Sequence, residues 1–237
     1  MLLARSAVVN PNPSIETVNA VRALLSLKEG LVLADVSERT VRKDLESGRL
    51  RRRAVSEGNR LWFRWVDVVF LAGVYRNDFL TAPLRKRAWE RVEMLDLAVC
   101  EATNIAHRAV GELWERCLAE DWATTLEIDN YVFINVKRVF EDVRPRMDLY
   151  AEGLKRIEER NTVLGGKPVF RGTRLSVHHV GKMLARDEPI EHILEDYPYL
   201  SEKDVRFAHL YYLAHPTLGR PPIRVEDPED EHSEFPA

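Results

Sequence analysis

The stretch Val36-Ser37-Glu38-Arg39-Thr40-Val41-Arg42-Lys43-Asp44-Leu45-Glu46-Ser47-Gly48-Arg49-Leu50 decides how the N-terminal part of this chain is read. Ser37 stands where a side-chain oxygen can accept from a free N–H of a first helical turn, and Ser47-Gly48 supplies the stop. Val41 and Leu45, four residues apart, form one face to be held against a preceding helix. Arg39, Thr40 and Lys43 then point outward near the N-terminal end, where the side chains of a recognition helix reach base edges in the major groove. Arg42 is a further candidate contact.

Upstream, a short apolar run (Leu24, Leu25, Leu27) leads into a helix from about Lys28 to Ala34 and a tight turn at Asp35-Val36. Downstream, Leu50 to Val55 and Arg60 to Trp65 read as two extended runs separated by Ser56-Glu57-Gly58-Asn59, a hairpin pattern. That hairpin would be a wing. Arg51, Arg52 and Arg53 open it, and Arg60 and Arg64 lie on its return strand, placed for phosphate contacts. Any capped amphipathic helix with solvated arginines resembles residues 37–46; a basic hairpin where a wing belongs is the second feature that favours double-stranded DNA as the ligand.

The net charge of -3 hides a strong polarity. From Ser37 to Arg64 the basic residues Arg39, Arg42, Lys43, Arg49, Arg51, Arg52, Arg53, Arg60 and Arg64 face Glu38, Asp44, Glu46 and Glu57. From Thr217 onward, Glu226, Asp227, Glu229, Asp230, Glu231 and Glu234 face only Arg220 and Arg224. The N-terminal apolar run is too short for a signal peptide followed by a cleavage site, and no stretch approaches the roughly 20 apolar residues of a membrane span, so a cytoplasmic protein with no membrane partner is expected. Cys100 and Cys117 have no cysteine or histidine at zinc-ligand spacing and read as reduced thiols.

Val66 to Ala123 reads as helical, punctuated by Pro83, with Trp89, Val92, Leu95 and Val99 at helical spacing. Thr125 to Val136 is a second hairpin, with Asp129-Asn130 as its turn, and a helix is expected from about Pro145 to Arg160. After turns at Gly165-Gly166-Lys167-Pro168 and Arg171-Gly172-Thr173, which flank a short strand Val169-Phe170, three helices follow. They run from Val177 to about Ala185, from Pro189 with Ile190, Ile193, Leu194 and Tyr197 on one face, and from the Ser201 cap to His215 with Val205, Ala208 and Tyr212 inward.

Other signals carry less. Gly165-Gly166-Lys167 lacks the Ser or Thr and the upstream glycine of a phosphate-binding loop. Adjacent histidines, His178 and His179, point about 100° apart on a helix, with no third ligand nearby, so no metal is expected. Glu195, Asp196 and Asp204 sit where carboxylates cap helices, and no nucleophile lies beside a base, so no catalytic residue, enzyme activity or cofactor is expected. The tryptophans, including Trp62, Trp65, Trp89, Trp114 and Trp122, read mainly as core.

Residues 22–74, through Leu25-Ser-Leu-Lys-Glu29, Val36 to Lys43, Gly48-Arg-Leu50 and Leu61-Trp-Phe-Arg-Trp-Val-Asp-Val68, resemble the MerR-type winged helix; Gly30 departs from the alanine more usual there. Asn161 to Pro216, with Gly165-Gly-Lys-Pro168, Arg171-Gly-Thr-Arg174, Asp196-Tyr-Pro198 and Ser201-Glu-Lys-Asp204, resembles the bacterial domain of unknown function 433. A chain joining both resembles the VapB-type antitoxins. That resemblance implies an antitoxin of a toxin-antitoxin system, a transcriptional regulator that represses its own operon and neutralises a PIN-like, metal-dependent ribonuclease toxin. Arg220 and Arg224, on the proline-bearing segment Leu218 to Val225, are the candidate toxin contacts, since an arginine on an extended arm can pair bidentately with carboxylates.

The expected fold is mainly α with small β-hairpins. Its parts are an N-terminal arm (1–21), a winged helix-turn-helix (22–74), a helical middle region with a hairpin (75–160), a C-terminal three-helix antitoxin domain (161–216) and an acidic tail (217–237). A homodimer on two operator half-sites is expected, paired through the middle region. The alternative is a MerR-like transcriptional regulator whose middle region senses a small molecule.

Overall fold

The computed structural model describes residues 24–50, 61–103 and 125–216, with side chains in the second stretch described as far as residue 94. In chain order these form β1 (Leu25–Ser26), α1 (Leu27–Ala34), α2 (Glu38–Glu46), β2 (Trp62–Phe63), α3 (Trp65–Tyr75), α4 (Ala82–Thr103), β3 (Thr125–Asp129), β4 (Val132–Asn135), α5 (Val136–Lys155), β5 (Ile157–Glu158), β6 (Val169–Phe170), α6 (Val177–Leu184), α7 (Ile190–Asp196) and α8 (Glu202–Ala214). The fold is mainly α with three small antiparallel strand pairs, β1–β2, β3–β4 and β5–β6. No described helix is long and apolar enough to cross a membrane.

Local chemistry explains the first two helices. Ser26 and Glu29 form a reciprocal cap: the Glu29 N–H donates to Ser26 Oγ at 3.3 Å and the Ser26 N–H to Glu29 Oε2 at 2.7 Å. Asp35, left-handed at φ 56°, ends α1, with Val36 N–H donating to the Leu31 carbonyl and Asp35 N–H to that of Val32. The turn expected at Asp35-Val36 is therefore present, and it sets the angle at which α2 leaves. Ser37 precedes α2 in extended conformation, but its hydroxyl makes no capping bond. Glu38 supplies the negative charge at this helix start instead. Gly48, at φ 69°, follows the end of α2.

Three expectations are corrected. The helix predicted from Pro145 begins at Val136, where Asn135 Oδ1 accepts from Arg138 N–H at 2.9 Å, and ends at Lys155. Pro145 sits inside it on the exposed side, where water can take the freed Glu141 carbonyl, while Val143, Tyr150 and Leu154 hold the buried side. The hairpin turn is Asn130-Tyr131, one residue later than expected, because the register shifts between Glu127 and Asp129 and Asp129 pairs with Val132. On α8 the inward tyrosine is Tyr211, which is buried, whereas Tyr212 is half-buried against His178.

The strand Trp62–Phe63 pairs with Leu25–Ser26, in the register Leu25 to Phe63 and Ser26 to Trp62. The predicted partner run, Leu50 to Val55, lies mostly in residues 51–60, outside the described residues. This β1–β2 pair ties the start of α1 to the start of α3. Leu25, Leu31, Leu33, Phe63 and Leu71 bury there and continue through Tyr150 into Phe207 and Tyr211, so α1, α3, α5 and α8 share one core. The closest helix approach is between α6 and α8 at Gly181, where an added Cβ would lie 2.1 Å from the Ala208 carbonyl oxygen.

Candidate nucleic-acid interface

The residues of α2 divide as their spacing predicts. Val41 is buried and Leu45 half-buried, while Arg39, Arg42 and Lys43 are exposed and Thr40 is half-buried. Not all the outward cations are unengaged. Arg42 Nε binds the Glu38 carboxylate one turn back, and Lys28 Nζ reaches the other oxygen of Glu38 at 2.8 Å. The Lys28 hydrogen bond outweighs partial burial and, with Arg42, holds the Glu38 carboxyl below its ordinary range. Among the described positions this leaves Arg39 and Lys43 as the cations of α2 best placed to meet a ligand.

The inner side of α2 is pinned by a charge. Asp44 is fully buried; its Oδ1 accepts from Arg49 Nε at 2.8 Å and its Oδ2 from Arg85 Nε, on α4, at 2.7 Å. Burial alone would raise this carboxyl, but the Arg85 and Arg49 guanidinium groups hold it below the ordinary value. Arg85 also donates to the Leu80 carbonyl and lies 5.8 Å from the centroid of the Tyr75 ring. Tyr75 in turn accepts from Trp89 Nε1 at 3.2 Å. α2 is thus fixed on its inner side to α4 rather than by α1 alone, and its outer cations sit on a rigid element.

Arg64, expected at a phosphate, is mostly buried and bound to Asp67, with Nη2 2.8 Å from Oδ1. Arg51, Arg52, Arg53 and Arg60 lie outside the described residues, as do Arg220 and Arg224. His178 packs edge-on against Tyr212 at 4.6 Å, and desolvation pushes its pKa down. Among the described residues no three His, Cys, Asp or Glu side chains gather as a metal site would need.

A second cluster joins the two ends of the fold. Glu29 is fully buried; its Oε1 accepts from Tyr150 Oη at 2.8 Å and lies 3.2 Å from His215 Nε2, and the Tyr150 hydroxyl is itself 3.2 Å from that nitrogen. The cluster bridges α1, α5 and the residue after α8. It lies beside an open cleft of about 760 Å³ bounded by Ser26, Lys28, Arg42, Trp62, Gly166 and His215 among others. Composition does not point to it. The one local signal is the Ser26-x-x-Glu29 spacing, which marks a helix start but not the long-range partners.

Burial would raise the Glu29 pKa, but the hydrogen bonds from His215 and Ser26 outweigh it and hold the carboxyl at about 2, against 4.5 unperturbed. A depressed carboxyl stabilises the fold fully above its unfolded value and loses that contribution as pH falls through the folded value. We therefore expect an acid limb between pH 4.5 and 2, amounting to roughly 2–3 kcal/mol. Thermal melts across that range should show it. Glu29→Gln should be less stable at neutral pH and lose less on acidification; parallel acid limbs for the two proteins would refute the assignment.

With this geometry in view, the N-terminal part is a helix–turn–helix followed by a strand and a third helix, and the C-terminal part is a three-helix unit closed by β5–β6. Residues 157–212 match the family model described as a protein of unknown function, DUF433, so the C-terminal unit is a DUF433 domain. Over 210 residues the chain is 27% identical to the uncharacterized protein y4eO of Sinorhizobium fredii (strain NBRC 101917 / NGR234), covering 89% of this chain and 90% of the relative. No solved structure matches.

Proposed function

We propose that this chain is a DNA-binding antitoxin: α2 reads operator DNA in the major groove, and the C-terminal unit with the segment after it captures a PIN-like ribonuclease toxin. The observation that carries the DNA half is the arrangement of α2. A short helix enters after a left-handed turn, is pinned on its inner face through Asp44 to Arg49 and Arg85, and exposes Arg39 and Lys43 on the other side. The β1–β2 pair supports this reading, since it seats the chain on either side of residues 51–60, the run expected to hold the wing arginines. The toxin half rests on the DUF433 match together with the resemblance of the joined domains to VapB-type antitoxins.

Arg39→Ala or Lys43→Ala should weaken binding to the operator by about 1–3 kcal/mol where the side chain meets a base edge, and relax preference at that base pair. Gel-shift titrations against single-base operator variants test this, and operator affinity unchanged in both folded variants would refute the recognition role. For the toxin half, the full chain co-expressed with the product of the neighbouring reading frame should retain that nuclease and silence it. A chain ending at Pro216 should lose inhibition if Arg220 and Arg224 make the contact. Undiminished inhibition by the shortened chain would move the contact to α6, α7 and α8.

A further inference from the structure

We propose that the exposed cationic face of α2 has a second occupant, the carboxylate run Glu226–Glu234 of this same chain, which docks on Arg39, Arg42 and Lys43 and competes with nucleic acid for them. The competition rests on the DNA-binding reading above; the contact itself does not.

Three observations support it. First, the described chain leaves the fold beside this face. His215, next to the last described residue, lines the same cleft as Lys28 and Arg42. Second, the run can reach. Ten residues separate Pro216 from Glu226, and at about 3.3 Å per extended residue they span up to roughly 33 Å. A nine-residue helix such as α2 is only about 14 Å long. Third, the charges match. Glu226, Asp227, Glu229, Asp230, Glu231 and Glu234 occur with no lysine or arginine among them, whereas the outward face of α2 carries Arg39, Arg42 and Lys43 against the half-buried Glu38 and the terminal Glu46.

Single surface ion pairs are weak, but a tether of this length keeps the carboxylates at an effective concentration in the millimolar range, so several weak pairs suffice. The run presents to α2 what a phosphate backbone presents, closely spaced negative charge without base edges. Duplex DNA has to displace it. Because it competes for the cations that any sequence would use, it suppresses non-specific binding in particular.

The test uses the full chain and a full-length variant with the run neutralised (E226Q, D227N, E229Q, D230N, E231Q, E234Q), which alters no residue of the described core. At low salt the neutral-run variant should bind a non-specific duplex about tenfold more tightly than the parent, with the gap closing as salt screens the contact. Zero-length carbodiimide coupling, mapped by mass spectrometry on the monomeric species, should join the Glu226–Glu234 peptide to Lys43 or Lys28 in the parent. Equal duplex affinities without those cross-links would overturn the proposal. Tighter binding without them would overturn the docking too, leaving only general repulsion. Cross-links in a chain that binds no duplex at any salt would uphold the contact and refute the DNA-binding reading.

Discussion

Gly181→Ala should destabilise the protein by about 3 kcal/mol or more, the upper end of what overpacking costs. The added methyl would stand 2.1 Å from the Ala208 carbonyl oxygen and 2.6 Å from Tyr212 Cβ. The first of these is backbone, so no rotamer change relieves the clash and α6 has to move away from α8 along their tightest crossing. α8 also packs against α1 and α5, so the disturbance reaches the head of the molecule. Gly30→Ala is the internal contrast. Its methyl would meet only the Leu71 Cδ1 atom at 3.4 Å, and alanine improves helix propensity by ~1 kcal/mol. Urea unfolding of the two variants should therefore separate them widely; a Gly181→Ala loss below about 1 kcal/mol would show that the crossing has slack not seen here.

Asp44→Ala should cost about 2–4 kcal/mol, because it leaves two guanidinium groups facing an apolar site with no countercharge. The estimate sits below the full cost of breaking a buried pair because the side chains of Arg85 and Arg49 keep 14% and 25% of their exposure and can rehydrate in part. Asp44→Ala combined with Arg85→Ala should be less destabilised than the sum of the single changes, since the second removes the charge that the first orphans. The consequence for binding is separate. With α2 released from α4, duplex affinity should fall even though Asp44 faces away from the ligand. Additive losses in the double variant would refute the coupling, and an intact affinity in folded Asp44→Ala would show that α2 holds its angle without it.

Most of the architecture is legible in the sequence, for local reasons. The turn at Asp35-Val36, the stop at Gly48, the Ser201 cap with Asp204 and the buried Trp89–Val92 stripe all follow from short-range chemistry or helical period. Where tertiary packing overrides a local rule, the sequence misleads. Pro145 looks like a helix start, yet it lies in the exposed flank of a helix whose buried side is set by Val143, Tyr150 and Leu154. The β1–β2 pair is hidden because each strand has only two residues, too few to show alternation.

The candidate site is half legible. Outward cations follow from helical spacing, but the groups that hold them do not. Asp44 reads as one more surface acid among arginines, and only the fold brings Arg85, 41 residues later, onto it. Arg64 reads as a phosphate ligand until Asp67 is seen bound to it. Glu29, Tyr150 and His215 are spread over most of the chain, and no periodicity joins them.

The central claim is that the outward face of α2 binds DNA, and a salt series tests it most directly. The full chain is titrated against the duplex lying immediately upstream of its own coding sequence and against a shuffled duplex of equal length, with Arg39→Ala and Lys43→Ala alongside. We expect the upstream duplex to be preferred, the affinity to fall linearly on logarithmic axes as salt rises, and the slope to drop by about 1 for each removed cation that meets a phosphate. Binding that is absent at low salt for both the full chain and its neutral-run variant, or a slope and preference untouched by both substitutions, would contradict the account.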